Sequence, residues 1–393
     1  MFKIGITGQP GFIGTHLYNT IGLHPEKFTR IPFEDAFFQD YGKLKYFVRQ
    51  CDAIVHLAAM NRHNNPDVIY KINIGLVKQI ISACEETNST PHILFSSSTQ
   101  EDLDNLYGKS KKEGRELFIK WAEKNNAKFT GFIIPNVFGP FGHPYYNSVI
   151  ATFCHQLTHN EKPKIDVDGE MKLIYVGELV NEIISQLSVS SFHQSAVREK
   201  ITDVALLISN HPSQFTYHIP HTSVIKVTEL LKKLEEYKGN YYENGSIPNL
   251  NNTFDKNLFN TFLCYINYKN FFPFPLKKNT DKRGSFVETI KLNSGGQVSF
   301  STTNTGFTRG NHFHTRKAER FVVIKGKARI DIRRIGTQEV ISYELDGDNL
   351  SFVDMPVWHT HNITNIGKDD LYTIFWINEH FDANDPDTYF EKV

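Results

Sequence analysis

At 393 residues the chain is long enough for two or three domains, and 40% apolar residues with a formal net charge of zero is an ordinary globular composition. The even charge balance leaves no electrostatic case for nucleic acid as a partner, and no apolar run approaches the roughly 20 residues that span a bilayer. Met1 leads directly into a glycine-rich segment, which leaves no room for a secretion signal. The four cysteines (Cys51, Cys84, Cys154, Cys264) form no Cys-x-x-Cys pair, so buried thiols in a reducing cytoplasm are expected.

Phe2 to Ile6 predicts a buried strand. Thr7-Gly8-Gln-Pro-Gly11-Phe12-Ile13-Gly14 follows, and then an apolar periodic segment to Ile21. The glycines permit a tight turn and close approach of a pyrophosphate, and the helix start offers free N–H groups to it. A second strand is predicted over Phe28 to Ile31. An acid at the end of this strand usually holds a ribose 2′-OH; here the end carries Arg30, which suits a 2′-phosphate and so points to NADP. Asp52 to Ala59 reads as a strand whose last residues, Leu57, Ala58 and Ala59, leave space for a cofactor. Pro66 to Thr87 reads as a helix on the spacing of Ile69, Ile72, Leu76, Ile80 and Cys84.

His92 to Ser98 is the next strand, ending in three hydroxyls. A helix to about Asn125 opens with Tyr107-Gly-Lys-Ser-Lys111, so Tyr107 and Lys111 share a face. An ammonium beside the phenol favours the phenolate and lowers its pKa. Such a tyrosine can give a proton to a carbonyl oxygen while a hydride arrives at the carbon, and a serine at the strand's end can hold the same oxygen.

Over residues 1–265 the chain resembles the extended short-chain dehydrogenase/reductase family, which contains nucleotide-sugar epimerases and dehydratases. The matching residues are Gly8/Gly11/Gly14, His56 to Ala59, Asn73, Ser98, Tyr107/Lys111 and Pro135-Asn136-Val-Phe-Gly-Pro140. The resemblance implies a doubly wound parallel α/β sheet of Rossmann type. It assigns catalysis to Ser98 (with Ser97 as the alternative), Tyr107 and Lys111. It places NADPH against Gly8, Gly11, Phe12, Ile13, Gly14, Arg30, Leu57, Ala58, Ala59, Tyr107, Lys111 and Pro135. One departure is Thr99-Gln100-Glu101, where the family usually has Val-Tyr-Gly.

Beyond Pro140, Tyr146 to Cys154 predicts a helix, Leu173 to Val176 a strand and Val180 to Leu187 a helix; residues 188–222 show no strong period. Thr228 to Tyr237 is a short helix with a Thr cap, and Asn240 to Asn252 a polar loop. Phe271-Phe-Pro-Phe-Pro-Leu276 is a connector whose aromatics predict packing, and it separates domains 1–270 and 275–393. After Asp281 the pattern becomes short strands with turns.

In that second part, His312 and His314 stand two apart, so an extended strand points both to one face. Glu319 opens the next apolar run and His361 lies downstream. Three imidazoles and a carboxylate suit zinc, nickel or iron better than calcium or magnesium, with zinc the first choice. The stretch resembles the two motifs of the cupin family at Gly306, His312, His314, Glu319 and Gly326, then at Gly347, Pro356, His361 and Asn365. It departs at Trp358, where cupins usually have glycine and where a turn with positive φ accepts Trp poorly. The resemblance implies an all-β double-stranded barrel with the metal inside.

The order of the two parts, with phrases such as Asn147 to Cys154, Asp281 to Phe286 and Asp385-Pro-Asp-Thr-Tyr-Phe390, resembles bacterial capsule-synthesis enzymes that join a reductase to a cupin. This implies a cytoplasmic homodimer acting on a UDP-linked 4-keto-6-deoxy amino sugar. The cupin would epimerise C3 of a UDP-2-acetamido-2,6-dideoxy-4-hexulose. The reductase would then reduce C4 with NADPH to UDP-2-acetamido-2,6-dideoxy-L-talose, on the route to UDP-N-acetyl-L-fucosamine. His359, Lys317 and Tyr372 are candidate epimerase bases, and the metal is open to a structural or a Lewis-acid role. The alternatives are a reductase whose cupin only binds sugar or drives dimerisation, and a sugar-nucleotide sensor, against which the Tyr107/Lys111 pair speaks.

Overall fold

Apolar runs bounded by glycine and helix-start signals become a parallel sheet in the computed structural model of the chain, which describes residues 1–198, 214–282 and 284–393. Residues 199–213, within the unpatterned stretch expected at 188–222, thus lie outside the described residues. The chain forms two compact units. The first comprises residues 1–138, 145–148 and 171–224, and the second residues 139–144, 149–170 and 225–393.

The first unit is built on β1 (Phe2–Thr7), β2 (Phe28–Ile31), β3 (Ala53–His56), β4 (His92–Ser98), β5 (Phe129–Ile134) and β8 (Gln214–His218). Their order is β2-β1-β3-β4-β5-β8, and the pairs are parallel. Helices α1 (Phe12–Gly22), α2 (Tyr41–Gln50), α3 (Pro66–Thr87), α4 (Leu106–Asn125) and α6 (Val176–Arg198) cover it. The core joins Leu44, Phe47 and Val48 of α2, Val77 and Ile80 of α3 and Phe118 and Trp121 of α4 to Ile54, Ile93 and Phe129 of the sheet. Because β1 has β2 on one side and β3 on the other, the strand order reverses there, opening a crevice at the carboxyl ends of β1 and β3.

Short strands β6 (Asn136–Phe138) and β7 (Glu170–Tyr175) pair in parallel. The expected helix at Tyr146 is α5 (Val149–Thr158), and β9 (Ser223–Lys226) leads into helix Val227–Tyr237. Thr228 does not cap that helix: Lys226 is the cap residue, and Thr228 instead donates both its amide and its hydroxyl to Asp168. The expected polar loop at 240–252 begins as a π-helical turn that buries Tyr241 completely.

The second unit contains two five-stranded antiparallel sheets. One has the order β10 (Phe274–Pro275), β18 (Ser351–Met355), β15 (Glu319–Lys325), β20 (Leu371–Ile377) and β13 (Gln297–Thr303). The other runs β17 (Val340–Asp346), β16 (Lys327–Arg334), β19 (His359–Asn365), β14 (Thr308–Phe313) and β21 (Tyr389–Phe390). A hairpin of β11 (Lys278–Asp281) and β12 (Gly284–Val287) precedes them. This is the barrel expected after the Rossmann sheet. Helices Val227–Tyr237 and Thr253–Leu263 belong to the same unit. The connector is packed inside it: Phe271 stacks on Tyr242 at 4.7 Å and Phe274 on Phe352 at 4.9 Å.

Candidate functional site

Two constellations stand out, one in each unit. In the first, Gly8 adopts φ +68°, and a Cβ on it would lie 2.7 Å from the Ala58 amide nitrogen. A Cβ on Gly14 would lie 2.2 Å from the Gly8 carbonyl oxygen, so both positions exclude side chains. Gly11 precedes α1 and provides no capping side chain, leaving the turn with Phe12 and Ile13 open to a ligand's oxygens. The Leu57 amide donates to the Thr7 carbonyl and the Ala58 amide to Thr7 Oγ1, which joins Leu57 and Ala58 to the glycine turn at the crevice, with Ala59 next in the chain. Pro135 directly follows β5. This glycine cradle, closed to any Cβ, fits a dinucleotide.

The Arg30 guanidinium lies 4.1 Å over the Tyr18 ring and donates to the Tyr18 carbonyl, in the second half of α1. A sheet-edge arginine is held there by the attraction of its cation to the face of an adjacent ring.

Tyr107 stands in the first turn of α4, and Lys111 one turn on is buried, its Nζ 2.8 Å from the Ser96 carbonyl and 5.7 Å from the Tyr107 ring centre. Burial pushes the Lys111 ammonium down to about 8. Burial, with Tyr146 adding to it, pushes the Tyr107 phenol up to about 12. The expected lowering by Lys111 is therefore absent: the ammonium is engaged by the strand carbonyl, and desolvation of the phenolate outweighs a charge at that distance. Ser98 ends β4, its Oγ accepting from the Gln100 amide, while Ser97 donates to Glu101.

Two supports were not assigned roles from sequence. Glu101, within the Thr99-Gln100-Glu101 departure, is gripped by Arg115 through Nε at 3.0 Å and Nη2 at 2.7 Å, and it holds Ser97 in turn. A carboxylate three residues after the serines was the available signal. Asn73, buried on α3, accepts from the Met60 amide and donates to the Met60 carbonyl and Ser110 Oγ, tying the loop after β3 to the helix of Tyr107.

In the second unit the two sheets supply facing donors. His312 on β14 and His361 on β19 are opposite each other in register, and Glu319 opens β15 of the other sheet. β14 is bulged at Gly310 and Asn311, which have φ of +95° and +59°. His314 lies one residue past the strand's end. Glu319 Oε2 is 3.0 Å from His361 Nε2, 3.3 Å from His314 Nε2 and 4.0 Å from His312 Nε2. The four donor atoms lie within 4.8 Å of one another.

His314 Nε2, His361 Nε2 and Glu319 Oε2 are buried without a hydrogen-bond partner, although His361 Nδ1 bonds the His359 carbonyl and His314 Nδ1 the Asp387 carbonyl. Since a carbonyl only accepts, each Nδ1 carries the proton and each Nε2 turns a lone pair inward. Burial, with His361 adding to it, pushes the His312 imidazolium down to about 4, so that ring is neutral at neutral pH. Converging unpartnered nitrogens around the Glu319 carboxyl group fit a divalent transition metal.

Trp358 has φ +61°, so the turn that cupins make with glycine is kept here with Trp. Its amide donates to the His314 carbonyl at 2.7 Å and its ring stacks on Phe313 at 5.7 Å. None of the three candidate bases is aimed at the four donors. His359 bonds the Val357 carbonyl and stacks on Tyr268, and Lys317 Nζ is tied to the Pro386 carbonyl. Tyr372 faces Phe300, on the side of β20 opposite Phe375, which contacts Phe321 next to His361. Among the described residues no helix is long and apolar enough to cross a membrane.

Comparison with known proteins agrees with both halves. Residues 4–189 match the NAD dependent epimerase/dehydratase family, and residues 279–389 match the polysaccharide biosynthesis C-terminal domain. A Pseudomonas aeruginosa protein, UDP-2-acetamido-2,6-beta-L-arabino-hexul-4-ose reductase, is 32% identical over 98% of both chains. The capsular polysaccharide assembling protein CapF from Staphylococcus aureus is 34% identical over the whole of both chains, with a TM-score of 0.59. The Bordetella bronchiseptica enzyme WbmF, solved with NADH, shares the fold at 14% identity and a TM-score of 0.53, over 67% of this chain and 91% of its own. Nucleotide cradle, Tyr/Lys helix and C-terminal barrel thus occur in one continuous alignment, and the chain belongs to the CapF family of sugar-nucleotide enzymes that carry a nicotinamide-binding reductase fold and a polysaccharide-biosynthesis C-terminal domain.

Proposed function

We propose that the chain reduces the C4 ketone of a UDP-2-acetamido-2,6-dideoxy-hexul-4-ose with NADPH, after its barrel has epimerised C3. The observation that carries the reductase reading is Tyr107 at the mouth of α4, protonated across the neutral range, in a chain aligned end to end with a protein named as a 4-ulose reductase. Residues 1–270 would act as the reductase and 275–393 as the metal-binding part.

Gly8, Gly11, Phe12, Ile13 and Gly14 would hold the pyrophosphate, with Leu57, Ala58, Ala59 and Pro135 beside the ring end; when bound, the reduced nicotinamide supplies a hydride. Tyr107 Oη donates its proton to the C4 oxygen. Lys111, charged below about pH 8, steadies the phenolate left behind and pins the end of β4 through Ser96. Ser98 Oγ orients the same oxygen. The preference for NADPH rests on Arg30, which a 2′-phosphate would have to draw off Tyr18.

His312, His314, Glu319 and His361 would hold one divalent metal, zinc by preference; when bound it supplies a Lewis acid or a structural tie. A proton at C3 beside the C4 ketone is acidic enough for removal because the resulting anion is an enolate. One observation favours a second reading, in which the barrel binds sugar or assembles a homodimer without catalysis: the three candidate bases are engaged elsewhere.

Tyr107→Phe tests the reductase. It should lower NADPH oxidation with the 4-keto sugar nucleotide by roughly 10²–10⁴-fold. Turnover near that of the wild type would remove Tyr107 from the mechanism.

A further inference from the structure

The C-terminal phrase Asp385-Pro-Asp387-Thr-Tyr-Phe390 plays no part in either reaction as described, yet it is bound along the metal-site strand. β21 pairs with β14, Phe390 opposite His312 and Tyr389 opposite Phe313. Asp387 is 2% exposed and adopts φ +43°. Its Oδ1 accepts from the Thr315 amide at 3.1 Å and Thr315 Oγ1 at 2.6 Å. Its Oδ2 accepts from the amides of Arg316 at 3.0 Å and Lys317 at 3.1 Å. Those are the three residues that follow His314. The backbone carbonyl of the same Asp387 accepts from His314 Nδ1.

His361, by contrast, is oriented from its own strand: its Nδ1 uses the carbonyl of His359, two residues back. His312 is likewise supported by the Gly310 backbone, two residues back. His314 lies beyond the end of β14, and its acceptor comes from 73 residues away. An imidazole presents a lone pair at Nε2 only while Nδ1 keeps its proton, and the partner of Nδ1 sets both tautomer and aim.

We infer that Asp387 is a positioning residue of the metal centre: its carbonyl fixes His314 as the Nδ1–H tautomer, and its carboxylate locks the backbone that follows the ring. This rests on the proposed metal reading and adds that the C-terminal tail completes the site.

The test uses the full-length protein, with zinc affinity measured by competition against a chromophoric chelator and thermal midpoints measured with and without zinc. Asp387→Gly keeps the left-handed backbone accessible and removes the carboxylate. It should weaken zinc binding by about 10–100-fold, the usual cost of losing such support, and shrink the rise in midpoint that zinc gives the wild type. Arg333→Ala frees only the far end of the tail at Glu391 and Lys392, and should bind zinc like the wild type. A merely structural Asp387 would lower both midpoints equally and leave zinc affinity unchanged, which would overturn the inference. If the glycine variant does not fold, Asp387→Asn, isosteric and at ease at positive φ, should show an intermediate loss, and unchanged affinity there is equally fatal. A wild type that takes up no zinc would instead bring down the metal reading itself, and this inference with it.

Discussion

Lys111 shows how one residue's surroundings set a pH limit for the whole reaction. Burial holds its ammonium near pH 8, below the 10.4 of a free lysine. The charged form is the one that steadies the phenolate, so reductase activity should be retained below pH 8 and fall as pH rises through it. A kcat profile measured from pH 6 to 10 checks this, and a profile flat to pH 10 would exclude a charged Lys111 from catalysis. The pair Tyr107/Lys111 was legible because an i, i+4 spacing on a helix is a local property. The state of the phenol was not, because it depends on burial and on where the lysine donates, and both are set by β4 packing against α4. Arg30 illustrates the same limit: its strand position was correct, but a side chain's direction depends on neighbours such as Tyr18 that no spacing rule includes.

At the scale of elements, the helix Pro66–Thr87 and strands Phe28–Ile31 and His92–Ser98 fall where apolar periodicity placed them. The buried stripe of α3 nevertheless runs through Asn73, and Ile72 is 37% exposed. A polar residue enters the core there because it satisfies both backbone groups of Met60. The turn at Trp358 is the clearest case of a local rule overridden by packing. A left-handed non-glycine residue costs roughly 1–2 kcal/mol, whereas removing a buried Trp ring costs about 3–5 kcal/mol, so the ring's stacking on Phe313 outweighs the strain. Trp358→Gly should therefore destabilise the protein by roughly 1–4 kcal/mol despite relieving the backbone. Urea unfolding followed by fluorescence measures it, and a stabilised variant would show that strain dominates. The paired histidines were readable from a two-residue period. The bulge at Gly310 and Asn311, and the tail that supports His314, were not, since both come from long-range pairing.

Across the molecule, the second unit takes in helices Val227–Tyr237 and Thr253–Leu263 as well as the barrel, so the connector expected to divide two domains is interior to it. Arg320 and Asp354, both buried, form a two-pronged ion pair at 2.8 and 2.9 Å. Asp354 also accepts from the Tyr241 hydroxyl, and Arg320 donates to the Gly245 carbonyl. Removing Arg320 strands a buried carboxylate, so Arg320→Ala should cost about 3–5 kcal/mol. Its urea midpoint should fall accordingly, and an unchanged midpoint would mean that water reaches Asp354. The connector Phe271 to Leu276 was readable from its prolines and aromatics, but not that preceding helices share a unit with the barrel, because such contacts link residues as distant as Tyr241 and Asp354.

The claim that one chain carries two separate chemistries is tested most directly by deuterium incorporation at C3. The 4-keto sugar nucleotide is incubated in heavy water with Tyr107→Phe and, in parallel, with His314→Ala, and its mass is followed by spectrometry. Enolisation needs neither hydride nor nicotinamide, so the account predicts exchange with Tyr107→Phe, although reduction has stopped, and none with His314→Ala. Loss of exchange in Tyr107→Phe, or its persistence in His314→Ala, would contradict it and leave the barrel a binding or assembling module.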